Sequence, residues 1–229
     1  MNTPKIIFRV VLSWMALLAA QIVAGMMIHP KSPPNPHPLL FVLVYDALIV
    51  LPLAAAALRS DWRGWKLFPA LFVVPAVISL ANWIEGVWYL PNVGIDWRAT
   101  LIFSMVSLAM ASLLWLLVFR GAPVPEAAVS STLPERQLMQ KLWRIAMCSA
   151  CYVFLYFLAG MIIFPFVRDY YATQHLPSGG QIIAMQFLVR GPMFIVVCLV
   201  LLRMFRLPYL AGALAVGLAF TCISGVAAL

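Results

Sequence analysis

The sequence predicts an all-α integral membrane protein, a seven-helix bundle made of two parallel three-helix repeats joined by a linking helix (3+1+3). Three observations lead there. Of 229 residues, 65% are hydrophobic and 10% charged, and the mean hydropathy is +1.01. A water-soluble domain of this length cannot hide so much apolar surface in its core. The apolar residues fall in seven runs of about 20, the length a helix needs to cross the hydrocarbon layer. Finally, parts of the first three runs recur in the last three.

The spans are expected at about 8–29, 38–58, 67–90, 99–119, 144–166, 181–203 and 207–228. Lys5 and Arg9 precede the first. The proline-rich stretch from Pro30 to Pro38 separates it from the second, and the basic loop Arg59 to Lys66 separates the second from the third. A polar loop, Pro91 to Arg98, leads into the fourth. In the connection that follows, Thr132-Leu133-Pro134-Glu135 has capping-box spacing with proline in the first turn. Leu138, Met139, Leu142 and Trp143 come next at helical intervals, so a short amphipathic helix is expected on the cytoplasmic face. Arg168 to Gly180, with His175 and Gly179-Gly180, separates the fifth span from the sixth.

Charge sets the expected orientation. Lys5, Arg9, Arg59, Arg63, Lys66, Arg120, Arg136, Lys141, Arg144, Arg203 and Arg206 share one side, whereas Lys31, Arg98 and Arg168 lie in the opposite loops. Basic residues stay in the cytoplasm, so the N-terminus is expected inside and the C-terminus outside, in a bacterial-type cytoplasmic membrane. The net charge of +8 is dispersed in small clusters between apolar runs rather than gathered in one stripe, which argues against nucleic acid as a partner.

Ala24-Gly25-Met26-Met27-Ile28-His29-Pro30 is echoed by Ala159-Gly160-Met161-Ile162-Ile163-Phe164-Pro165, and Arg9 falls on Arg144 in the same register. The echo pairs the first span with the fifth, which argues against a cleavable signal peptide. Arg59 aligns with Arg203 in spans two and six, and Pro69 and Gly86 with Pro208 and Gly225 in spans three and seven. Residues 1–229 thus read as one membrane domain. Repeat one covers about 5–90, the linking span 99–119, the cytoplasmic loop 120–143 and repeat two about 144–229. Parallel repeats related by an axis along the membrane normal follow from this order. The architecture is similar to that of SWEET-type sugar transporters. Those proteins place the N-terminus outside, and none of their sequence motifs occurs here.

Ionisable residues inside the spans mark the candidate site. Asp46 lies roughly 10 Å below the outer end of the second span at helical rise. Glu85 is in the outer part of the third, on one helix face with Asn82, and Arg190 is deeper in the sixth with Gln186 one turn above. A charge facing lipid at such depth costs about 2.5–3.5 kcal/mol on insertion scales, so all three are expected to face the interior. The register that puts Arg59 on Arg203 puts Asp46 on Arg190, which predicts that these two meet across the axis. Asp46, Glu85, Arg190, Asn82 and Gln186 are therefore the expected lining of an outward-open polar cavity for a small solute or a proton. Gly191-Pro192 after Arg190 predicts a kink that frees a carbonyl near Leu188.

Other features carry less. Cys148-Ser149-Ala150-Cys151 sits in an apolar run without a second pair, so packing is its default. Met26, Met27, His29, His37, Met161 and His175 lack a paired motif for Cu(I). No cofactor, metal or catalytic residue is expected. Ala213, Gly217, Thr221 and Gly225 form a small-residue stripe that permits close helix approach. Ser104 and Ser107 are expected to bond their own backbone or a neighbour. Trp88, Tyr89, Tyr170 and Tyr171 suit an interfacial belt. No soluble-type catalytic motif occurs in the sequence. The readings left standing are a carrier or solute-binding protein, an accessory or assembly protein with a structural salt bridge, and an enzyme acting on outer-leaflet lipid headgroups. Besides the lipid bilayer, a second membrane protein or a second copy of the chain stands as a partner to be tested.

Overall fold

The computed structural model describes residues 3–28, 38–89, 95–120, 138–172, 177–205, 207 and 209–225. These form seven helices: α1 (Thr3–Ile28), α2 (Pro38–Arg59), α3 (Phe68–Tyr89), α4 (Trp97–Phe119), α5 (Leu138–Ala172), α6 (Gly179–Phe205) and α7 (Tyr209–Gly225). A 3-10 turn at Gly64–Lys66 leads into α3. Six of the seven helices are long and apolar enough to cross a membrane, and the apolar stretch of α7, Leu210–Ile223, is shorter.

The surface is as apolar as the interior, unlike that of a protein in water. Phe8, Met26, Phe154, Met161, Ile162, Phe166, Leu210, Leu214 and Leu218 are exposed, whereas Asp46, Gln186, Arg190 and Ser149 are buried. Apolar faces this extensive need an apolar solvent, and the helices fit a multi-pass membrane protein.

Local chemistry sets the helix ends. Arg63 donates to the carbonyls of Ala57, Ser60 and Trp62 at 3.3, 2.6 and 2.7 Å, placing a cation on the orphan acceptors beyond α2. Partial burial pulls its guanidinium below the ordinary arginine value. Gly64, at φ +55, makes the left-handed turn that follows. Asp96 caps α4, its Oδ1 accepting from the Ala99 N–H at 3.0 Å. Ser178 and Gln181 form a capping box at the start of α6, with the Gln181 N–H donating to Ser178 Oγ at 3.4 Å and the Ser178 N–H to Gln181 Oε1 at 2.9 Å. The residue pattern Ser178-Gly179-Gly180-Gln181 carries that box, so α6 begins two residues before the expected start of the span at 181.

Helix α5 departs most from expectation. It starts at Leu138 and runs unbroken for 35 residues. Leu138 to Trp143 are therefore its first turns rather than a separate amphipathic helix, while Thr132 to Gln137 lie outside the described residues. No proline interrupts the sequence from Leu138 to Phe164, and charge at Lys141 and Arg144 does not stop a helix.

Helices α2, α3, α6 and α7 pack on one another at the centre. Helix α1 packs on α2 and α4, α4 also on α3, and α5 on α6. Small residues such as Ala20, Ala54, Ala57, Ala70 and Ala81 are fully buried between helices, allowing the close approach that substitutes for a hydrophobic driving force in lipid. The Trp115 indole N–H donates to the Ser13 carbonyl at 2.7 Å, fixing α4 on α1. The small stripe on α7 does not pack in this way. Ala213, Gly217 and Thr221 are exposed, and α7 turns Val216, Ala219 and Ile223 inward instead. Thr221 donates to its own helix at the Gly217 carbonyl, 2.9 Å away.

Candidate functional site

Three helix faces carry polar side chains to one place. On α3, Asn82, Glu85 and Tyr89 follow at intervals of three and four residues and so share a face. Tyr152 and Tyr156 do the same on α5, and Gln186 and Arg190 on α6. The faces can meet because α5 and α6 approach closely at Gly191, where an added Cβ would lie 2.7 Å from Ser149 Oγ and 2.9 Å from its Cβ.

At this point α6 is not regular. Gln186 to Arg190 form a π turn, closed by the Gly191 N–H on the Gln186 carbonyl. Pro192, which lacks an N–H, follows directly, so the widened turn stands where the sequence led us to expect a kink. Such single π turns are frequently found at functional sites.

Glu85 and Arg190 form an ion pair, both side chains largely buried. The guanidinium donates from Nη1 to Glu85 Oε2 and from Nη2 to Asn82 Oδ1, the latter at 2.8 Å. Its other face covers the Phe194 ring, 5.0 Å from the centroid, a cation–π contact. Glu85 Oε1 accepts from the Tyr156 hydroxyl at 3.0 Å and from Gln186 Nε2 at 3.1 Å. Gln186 Nε2 also reaches the Tyr89 hydroxyl at 3.3 Å, and its Oε1 accepts from the Tyr152 hydroxyl at 3.0 Å. Both carboxylate oxygens are satisfied by donors of this chain. Two donors are left over, Arg190 Nε and Asn82 Nδ2, which are buried without a hydrogen-bond partner.

Asp46 stands apart. It is 0% exposed, and its Oδ1 accepts from Gln21 Nε2 at 2.8 Å, across from α2 to α1. Its Oδ2 is buried without a partner. Beside this pair lies a cavity of about 100 Å³ lined by Gln21, Tyr45, Ser79, Ser104 and Ser107 together with apolar groups of α1, α2, α3, α4 and α7. Ser107 donates to the Phe103 carbonyl of its own helix, leaving its oxygen lone pairs for another donor.

Of the five residues expected to line one cavity, Glu85, Asn82, Arg190 and Gln186 are thus brought together. Asp46 is not among them, and the expected Asp46–Arg190 pair does not form: Arg190 takes Glu85 and Asn82, and Asp46 takes Gln21. The physical reason is that α3 packs on α6 and brings an acid of its own to the guanidinium, while the Asp46 side of α2 faces α1. Nor does the cavity open onto the Glu85–Arg190 network; it lies on the Asp46 side.

The sequence reading missed Gln21, Tyr152 and Tyr156 and placed Tyr89 in the interfacial belt. A signal existed for three of them. Gln21 is the one amide in the first span, and Tyr152 and Tyr156 are one turn apart in the fifth. Trp88 is exposed, as a belt residue would be, while the side chains of Tyr170 and Tyr171 are outside what the structure describes. Cys148 and Cys151 are free and exposed. Met26, Met27 and Met161 are exposed, and His29, His37 and His175 lie outside the described residues. Among the described residues, no group of three or more His, Cys, Asp or Glu side chains is placed to hold a metal ion.

No protein-family model matches the chain, and neither a curated protein nor a solved structure shows significant similarity to it.

Proposed function

We propose that this is a multi-pass protein of a bacterial-type cytoplasmic membrane that binds a small polar or ionic solute in its interior and carries it. The observation that carries the reading is Asp46, a fully buried acid with one unpartnered oxygen, whose hydrogen-bond partner Gln21 and chain neighbour Tyr45 edge a cavity with further hydroxyl groups. An isolated charge or acid at such a position costs stability, and ionisable groups inside membrane spans mark solute and proton routes by default.

In this reading the Glu85–Arg190 network holds the two repeats together. Its charges cancel, its carboxylate is saturated, and it ties α3 of one repeat to α5 and α6 of the other. One fact supports a parallel repeat: the packing of α3 on α6 is matched by that of α2 on α7, the pair obtained by exchanging the halves.

The test is flux. Purified protein in sealed vesicles should take up a small polar solute or dissipate an imposed proton gradient, and Asp46→Asn should abolish this while leaving the helical content intact. Equal flux through wild type and a folded Asp46→Asn protein would sink the reading. A second reading, an accessory protein with a structural salt bridge, is favoured by the internal saturation of Glu85. It predicts a stoichiometric membrane partner on purification, retained in Asp46→Asn.

A further inference from the structure

We infer that Asp46 is a proton-binding site, a carboxylic acid that takes up and releases one proton through the cavity beside Gln21. The inference rests on the solute-binding reading above and names the ion.

The surroundings of Asp46 select a proton over a metal cation. A bare carboxylate in an apolar interior is strongly disfavoured unless a cation or several donors compensate it. Asp46 has one donor, Gln21, and one bare oxygen. A hard cation would need several oxygen ligands around it. The neighbour at hydrogen-bond distance presents its Nε2, with the N–H dipole toward the acid, which repels a cation and suits an oxygen acceptor. One proton neutralises the group without any further ligand.

Charged and titratable groups on the helices packed against α2 are all engaged elsewhere or distant. On α1 the charges are Lys5 and Arg9, the nearer of them roughly 18 Å along the helix from Gln21. On α3 and α6, Glu85 and Arg190 pair with each other, and Arg203 lies at the far end of α6. Cys198 on α6 and Cys222 on α7 are free cysteines with no bond to Asp46. On α2 itself, Tyr45 borders the same cavity and Arg59 is in the last turn. Among the described residues, no cation reaches the carboxylate.

The exchange route leads past Gln21, which donates to Asp46 and borders the cavity, whereas Asp46 itself is set behind it and is not among the lining residues. A volume of about 100 Å³ has room for several waters, each needing about 10–15 Å³ by this measure. Ser79, Ser104, Ser107 and Tyr45 supply the polar partners those waters need. The step is proton transfer alone: once Gln21 turns aside, a protonated water from the cavity gives its extra proton to a carboxylate oxygen and stays behind as neutral water, one O–H bond breaking as one forms, and the reverse returns it.

Infrared difference spectra of the whole protein in phosphatidylcholine vesicles test this. Wild type should show the C=O stretching band of a protonated carboxyl that falls as pH is raised from about 5 to about 9. The band should move on transfer to deuterium oxide, vanish in Asp46→Asn and reappear at another frequency in Asp46→Glu. Sodium at constant pH should leave it unchanged. The proposal is overturned by wild-type and folded Asp46→Asn spectra that match throughout this region, by a band indifferent to pH and deuterium, or by a band that sodium removes. Because the spectra need no transport, a titrating Asp46 without flux would sink the carrier reading alone. Flux without a titrating Asp46 would sink the proton site alone.

Discussion

Without the Arg190 guanidinium, the Glu85 carboxylate keeps a hydroxyl and an amide donor but no cation. Arg190→Gln should therefore cost about 3–5 kcal/mol, since breaking a buried pair leaves an uncompensated charge. Glu85→Gln combined with Arg190→Gln should cost clearly less than the two single changes together, with a coupling of about 1–3 kcal/mol. Tyr156→Phe removes one bond to a charged acceptor and should cost about 1.5–3 kcal/mol. Equilibrium unfolding in mixed micelles, followed through the tryptophans, measures all four. At this scale the charges themselves were legible, because an acid or arginine in an apolar run has few places to go. Their pairing was not. Which acid meets Arg190 depends on how α3 and α6 are rotated and slid against each other, and the aligned register of Asp46 and Arg190 contains no such information. Tyr152 and Tyr156 were passed over for a related reason: tyrosine in a span has an ordinary explanation at the interface, and only burial against Glu85 reveals another.

At the scale of the element, the close approach of α5 and α6 depends on Gly191 having no side chain. Gly191→Ala should cost about 1–3 kcal/mol by overpacking against Ser149, with much of the loss recovered in combination with Ser149→Gly. A parallel case is Gly86, next to Glu85, where an added Cβ would fall 2.5 Å from the Trp97 ring. Gly86→Ala should therefore loosen the start of α4 on α3, and Trp97→Leu should relieve it. Thermal unfolding of the single and paired variants checks both. Helix existence was easily read from apolar runs and their breaks. The π turn was not, because Gly191-Pro192 signals a disturbance without saying whether the chain bends or widens there. Helix α5 is longer than the expected span because the turns from Leu138 to Trp143 belong to it, and no proline interrupts the sequence up to Phe164.

At the scale of the whole molecule, the basic residues predict which end faces the cytoplasm. A fluorescent protein fused after Arg120 should fluoresce, and an alkaline phosphatase fused at the C-terminus should be active, which is the pattern of an N-terminus inside with an odd number of crossings. The opposite pattern would reverse the orientation and place the Asp46 end of α2 inside. The helical character of the described residues and six of the seven expected spans were legible from composition and run length alone, while the seventh, expected at 207–228, has a shorter apolar helix, Leu210–Ile223. The arrangement of helices needed coordinates, because lipid-facing and helix-facing apolar residues look alike in sequence: Leu214 is exposed and Leu201 fully buried within one connected pair of helices.

The ion pair between α3 and α6 also has a history in time. Glu85 and Arg190 are 105 residues apart in the chain. At synthesis rates of about 5–20 residues per second, Glu85 leaves the ribosome roughly 5–20 s before its arginine. Helices α1 to α4 can already pack among themselves in that interval, and α5 brings the Tyr156 hydroxyl, but Glu85 has no cation to meet. A nascent chain halted before Arg190 should therefore be a preferred substrate of membrane quality-control proteases. Glu85→Gln should lengthen its lifetime in a pulse-chase, even though the same change weakens the finished protein.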